Sequence, residues 1–157
     1  MIRRLAALAQ TAPSACNRQA SRLYAISDPA VIEAALKVQR GAGGFSDNIP
    51  TLLVVTVDRR MFVGGAGRNQ RWIDGGIYAM NLAWAAQSLG LGSCFLNAMF
   101  RHKQANALRR IVGINKHEDI VVLMSIGQPA PGWRYAASPR LAVSSVLHER
   151  RAPDARQ

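Results

Sequence analysis

A chain that carries the stretch from Trp72 to Ala98, WIDGGIYAMNLAWAAQSLGLGSCFLNA, has few ways to fold. Between Ile73 and Leu91 its polar side chains are Asp74, Asn81, Gln87 and Ser88. Asp74 at the N-cap and Gly90 past the last turn bracket one helix, the acid complementing the helix dipole. Ile77, Met80 and Trp84 form one stripe, while Leu82, Ala85, Ala86 and Leu89 cover much of the remaining circumference. A helix apolar almost all round has to be buried almost all round. It does not cross a membrane, which takes about 20 apolar residues, because Asp74, Gly75 and Gly76 interrupt the run. In a chain of 157 residues one side of the helix packs on the chain's own sheet and the other on a second copy. The expectation is a homodimer.

The length suits one domain with a sizeable core. At 49% apolar and 18% charged residues the composition is globular rather than disordered. The net charge of +11, mostly arginine, favours phosphate-bearing partners and says nothing about fold. Cys16 and Cys94 lack CxxC spacing, which places the chain in a reducing compartment, the cytoplasm. MIRRLAALA carries two arginines, and no acidic residue precedes Asp28, as in a transit peptide. However, Gln10 ends the apolar run early, and Ile2, Leu5 and Leu8 or Ala9 share one helical face. The segment is therefore assigned to a folded helix.

TAPSACNRQ then breaks the pattern with loop chemistry. Arg22 to Ile26 is a short strand, and Asp28 caps a helix with Pro29 at its first position and Val31, Ile32, Ala35, Leu36 and Val38 buried. GAGGFSDN is a loop. Thr51 to Val57 is apolar on both faces and β-branched, as a central strand is. A polar connection, DRRMFVGGAGRNQR, leads to the long helix, and Ser93 to Leu96 is another short strand. His102 to Val112 is an amphipathic helix closed by Gly113, with Ala105, Leu108, Ile111 and Val112 inward. Ile120 to Gly127 is a second buried strand, and SPRLAVSSVL forms an extended arm. Residues 1–148 are read as one domain and 149–157 as a loose tail. The alternation of helices and strands gives a three-layer or α+β domain.

Most chemical motifs are missing. His102, His117 and His148 are scattered, without HExxH or Cys/His clustering, so no metal site is expected. Cys94, inside an apolar strand, is core filler, whereas Cys16 sits in a loop with no base marked for it. GAGG (41–44) and GGAG (64–67) match neither GxGxxG nor a P-loop. Aromatic residues do not interleave with the arginines, which argues against nucleic acid.

Three segments carry more information together. APSACNRQ, DGGIYAMNLAWAAQSLGLGSCFLNA and SPRLAVSSVLH resemble, in this order, three signatures of the nitroreductase family of FMN-dependent flavoproteins. These are APSxxNxQ after a first helix, a long helix of the form DxGxxxxNLxLAAxxLGLGSC, and a C-terminal arm with a basic residue before an apolar run. The resemblance covers nearly the whole chain.

It implies an α+β fold with a central mixed β-sheet flanked by helices, in a dimeric three-layer architecture. It also implies two FMN sites at the subunit interface, each built from both chains. Pro13, Ser14, Ala15, Asn17 and Gln19 are then the flavin contacts of the partner subunit, their Asn and Gln amides suited to the carbonyl and N–H edge of an isoalloxazine. Phe95, Leu96, Asn97 and Ala98 lie along the ring, and Arg140 holds the FMN phosphate with its guanidinium fork. No acid or base side chain is indispensable. The activity implied is reduction of a nitro, quinone or similar small organic acceptor with NAD(P)H. The alternative is a non-enzymatic dimeric remnant of the fold with weak or no flavin binding. Arg3 and Arg4 stand too close to APS to be the family's RRSxR segment, and Ser138 stands where a second basic residue often helps the arginine of the arm.

Overall fold

A computed structural model describes residues 1–149 except 63, 65, 66, 68 and 135. The order is α1 (Ile2–Ala9), β1 (Ser21–Ile26), α2 (Pro29–Gln39), β2 (Thr51–Asp58), α3 (Gln70–Ser88), β3 (Gly92–Leu96), α4 (His102–Val112) and β4 (Glu118–Gly127). Local chemistry sets several ends. Asp28 Oδ1 accepts from the Ala30 and Val31 N–H groups at 2.8 and 3.3 Å, with Pro29 at the first helical position. α4 ends at Gly113, whose φ of 76° suits the left-handed cap that glycine adopts without strain.

β2 is central, buried from Leu52 through Asp58. Alternation sends Leu52 and Val54 to a core shared with α2 and α4, and Leu53 and Val55 to one shared with α1 and α3. The result is three layers, helix pair, sheet and helix pair, within one chain.

The strand order is β1-β2-β4-β3, and every pairing is antiparallel, so the sheet is not the mixed one expected. α3 returns the chain so that β2 and β3 run parallel. β4 then lies between them, antiparallel to both, and removes the parallel contact. A bulge between Val55 and Thr56 leaves Val121 as the extra residue of β4. α3 meets that bulge at Gly75, where a Cβ would lie 2.7 Å from Val121 Cγ2 and 2.8 Å from Val57 Cγ2. Only glycine allows the helix so close to the sheet.

α3 begins at Gln70 behind Asn69, one turn before the expected start, so Asp74 is not its N-cap. Asp74 is instead 2% exposed inside the helix, where its oxygens accept hydrogen bonds. Leu82, Ala85 and Ala86 are buried as expected. The opposite stripe is not: Ile73, Ile77, Met80 and Trp84 are 53, 38, 46 and 63% exposed. Cys94 is also exposed rather than core, because β3 is an edge strand and Ser93, Cys94 and Phe95, on alternating faces, are all exposed. In α1, Ala9 rather than Leu8 completes the buried face.

The arm from Gln128 lies open, with Leu141, Val143, Val146 and Leu147 between 55 and 77% exposed. Of the expected loose tail, residues 150–157 lie outside the described residues, as do Gly65 and Ala66 of the second glycine stretch. No helix among the described residues is long and apolar enough to cross a membrane.

Some arginines are structural rather than solvated. Arg59, Arg71 and Arg109 gather on Asp119 at 3.5, 2.9 and 3.9 Å. At the end of β2, the Arg60 guanidinium hydrogen-bonds the buried Asp58 carboxylate at 2.9 and 2.6 Å and holds its pKa down at about 2. A carboxyl whose pKa is lowered on folding stabilises the fold above its unfolded value and loses that contribution as pH falls through the folded one. Stability should therefore drop between pH 3.8 and about 2, and Asp58→Asn should flatten that part of a urea-midpoint profile.

Candidate functional site

The loop from Gln10 to Ala20 is held in an unusual shape. Cys16, Asn17 and Gln19 have φ near +50°, a left-handed conformation that non-glycine residues adopt only when surroundings impose it. The Ala15 N–H donates to Asp74 Oδ1 and Oδ2 at 3.3 and 3.2 Å, and Gln70 Nε2 donates to Oδ1 at 2.8 Å. Two turns further along α3, Asn81 Nδ2 donates to Leu8 O, Ala9 O and Thr11 Oγ1 at 3.1, 3.0 and 3.2 Å. That single amide adds a second tie to carbonyls at the end of α1 that already accept from the Thr11 and Ala12 N–H groups at 3.3 and 3.1 Å.

Pro13, Asn17 and Gln19 are exposed, and Ser14 and Ala15 are half-buried. Ser14 Oγ accepts from the Gln19 N–H at 3.0 Å. Asn17 Oδ1 accepts from Gln19 Nε2 at 3.0 Å, and Gln19 Oε1 from Gln10 Nε2 at 3.3 Å. Among the described residues Asn17 Nδ2 takes no acceptor, so the loop offers surface amide donors. The cavity beneath it is about 10 Å³, too small for more than a single water, so any ligand lies on the outside.

The second expected segment leaves the sheet at the end of β3. Phe95 is 44% exposed, whereas Leu96 is 3% exposed, so of Leu96 only the backbone can meet a ligand. Asn97 is exposed. Its carbonyl accepts from the buried Gln39 Nε2 at 3.1 Å, and its Oδ1 accepts from the Met99 N–H at 3.2 Å. Among the described residues the Ala98 N–H has no partner.

These two segments belong to opposite edges of the sheet, β1 and β3. Three strand spacings, about 14 Å, separate the edges. Within one chain, Asn17 and Asn97 do not line a common cleft. Arg140 is joined to neither. It is exposed, and its Nη1 donates to Ser138 O and Pro139 O of its own arm at 3.0 and 3.3 Å.

A cavity of about 490 Å³ lies elsewhere, between α2 and the loop of residues 40–49, and shares no residue with either segment. It opens where the glycine-rich loop splays from α2, and its charged rim includes Glu33 and Lys37, which pair with each other at 2.6 Å. Size alone does not make it the site.

Asp74 and Asn81 escaped notice as site residues because both read as features of a helix. Their separation by seven residues, which puts two polar side chains on one face of an apolar helix, was the available signal.

A four-stranded antiparallel sheet between two helix pairs, with a strained polar loop at one edge and an aromatic strand end at the other, defines an α+β class of chain. The nitroreductase family model matches residues 34–128, and the chain belongs to that family. No curated protein matches it in sequence. Solved structures share the fold. A protein described as a nitroreductase from Desulfovibrio desulfuricans, in complex with FMN, is 21% identical over 97% of this chain and 84% of its own, with a TM-score of 0.79. YdfN from Bacillus subtilis, also described as a nitroreductase, is 17% identical over 95% and 86%, at 0.81. NfrA1 nitroreductase from B. subtilis is 21% identical over 94% of this chain and 64% of its own, at 0.80. Family membership supports an oxidoreductase.

The residues present fit FMN in part. Amide donors on the outer surface of the loop suit the carbonyl edge of an isoalloxazine, and the half-exposed Phe95 with the free Ala98 N–H suits a flat ring. Arg140 is a suitable phosphate donor, but within one chain it meets neither group.

Proposed function

We propose that two copies of this chain pair along α3 and form an FMN-dependent oxidoreductase that uses NAD(P)H to reduce a nitro, quinone or similar small organic acceptor. One observation carries it: Ile73, Ile77, Met80 and Trp84 leave an apolar stripe uncovered along the longest helix. A second copy covers that stripe and brings the loop of one copy towards the β3 end of the other, completing a cleft that a single chain divides between two edges.

In that cleft Pro13, Ser14, Ala15, Asn17 and Gln19 of one copy grip the flavin edge. The Phe95 ring and the backbone of Leu96, Asn97 and Ala98 of the other lie along its face. Arg140, freed from its own carbonyls, takes the phosphate. When bound there, FMN would supply the redox chemistry between the nicotinamide donor and the acceptor. The protein's own residues bind, orient and shield the ring, so catalysis is mainly positioning, with no indispensable acid or base. Residues 1–148 act as one domain, in the cytoplasm, with no nucleic-acid or membrane partner.

Purified protein titrated with FMN tests this. The expected result is a yellow protein with one FMN per chain, whose flavin absorbance bleaches when NADH or NADPH is added without oxygen. A protein that stays colourless in excess FMN contradicts the proposal and leaves a dimeric remnant of the fold.

A further inference from the structure

We infer that Asp74 is a positioning residue for the cofactor loop, with Asn81 as its second anchor. The ligand in this inference rests on the FMN proposal, but the anchoring does not. A carboxylate that is 2% exposed in the middle of a helix is costly unless its oxygens are satisfied. Two donors satisfy this one: Gln70 Nε2 from its own helix, and the backbone N–H of Ala15 from the loop. The next residues, Cys16, Asn17 and Gln19, are the ones in left-handed conformation. The loop's own bonds, Asn17 N–H to Ser14 O and Arg18 N–H to Ala15 O, fix a local turn without fixing it against the body. Asp74 makes that attachment at Ala15, and the Arg18 guanidinium, 5.5 Å over the Phe62 ring, adds a weaker one.

Asn81 lies two turns further along the same face and holds Leu8 O and Ala9 O, so the chain leaves α1 at a set point. α3 thus controls both where the loop begins and how Ala15 is oriented. The same helix carries the exposed stripe on the adjoining face, where Ile77 stands three residues after Asp74 and four before Asn81. Pairing of two copies and shaping of the loop are therefore mechanically joined through one rigid element.

The test uses the full chain carrying Asp74→Ala, Asp74→Asn or Asn81→Ala. Two quantities are read: the FMN dissociation constant by flavin fluorescence, and the rate at which trypsin cuts after Arg18 in flavin-free protein. Circular dichroism checks that the fold is kept. Loss of a hydrogen bond to a charged acceptor corresponds to roughly 10- to 100-fold. Asp74→Ala should weaken FMN binding and speed cleavage after Arg18 by about that factor. Asp74→Asn should recover part of both, because its carbonyl still accepts from Ala15. If Asp74→Ala does not fold, Asp74→Asn and Asn81→Ala carry the same comparison. Folded variants that are cut at the wild-type rate and bind FMN as tightly as wild type overturn the inference and leave the proposed function standing. Wild-type protein that takes no FMN overturns the proposed function and the cofactor half of this inference. Faster cleavage in the variants would then still support the anchor.

Discussion

Trp84→Glu should convert the proposed dimer to monomers and abolish stable flavin binding without unfolding the chain. Trp84 is 63% exposed, at one end of a stripe that includes Met80 and Ile77, so glutamate there costs the isolated chain little. Between two copies it would place a carboxylate in a dry apolar seam, and the twofold axis would place it there twice. Tryptophan is a typical energetic centre of an interface, and its loss alone weakens association by on the order of 100-fold. Sedimentation velocity at micromolar concentration should show a dimer for wild type and a 17.0 kDa monomer for the variant, with circular dichroism unchanged. A variant that remains dimeric would place the interface elsewhere.

Leu82→Ala should have the opposite character. Two residues from Trp84, Leu82 is completely buried against α1 and the sheet by its own chain. Truncating such a leucine costs about 2–5 kcal/mol, a transfer loss plus the cavity left behind. Against a typical total of about 5–15 kcal/mol this is a large fraction, and it corresponds to a drop in Tm of roughly 5–15 °C. The loss should appear at every protein concentration in a thermal melt, whereas that of Trp84→Glu should show only where the dimer is populated. A Leu82→Ala variant that melts within a degree of wild type would show that this face of α3 is not core.

The sequence announced elements better than it announced their partners. α4 was legible to its last residue because Gly113 stops it and Leu108 sits at the centre of its buried face. α2 was legible because Asp28 and Pro29 write a helix start in two letters. The central place of Thr51 to Val57 followed from an apolar run with no polar face. The antiparallel sheet did not follow, because the position of β4 between β2 and β3 is a pairing between distant segments that no local pattern encodes.

Asp74 was misplaced for a related reason. An acid followed by two glycines looks like a cap, and only Ala15, 59 residues away, explains why it is buried inside the helix. The apolar neighbourhood of Cys94 suggests core, whereas its edge position decides its exposure. The candidate site was legible as two lists of residues, the loop at 13–19 and the strand end at 95–98. What remained hidden was that one chain sets them on opposite edges, and that α3 shapes the loop.

The most direct test mixes two damaged proteins. Asn17→Glu spoils the loop and Asn97→Glu spoils the strand end, so neither variant alone should bind FMN. When the two are unfolded and refolded together, half of the dimers are mixed, and each mixed dimer has one cleft free of both substitutions. Recovery of FMN binding at roughly one quarter of all sites is the predicted result. No recovery, with mixed dimers demonstrably present, would mean that each flavin site lies within a single chain.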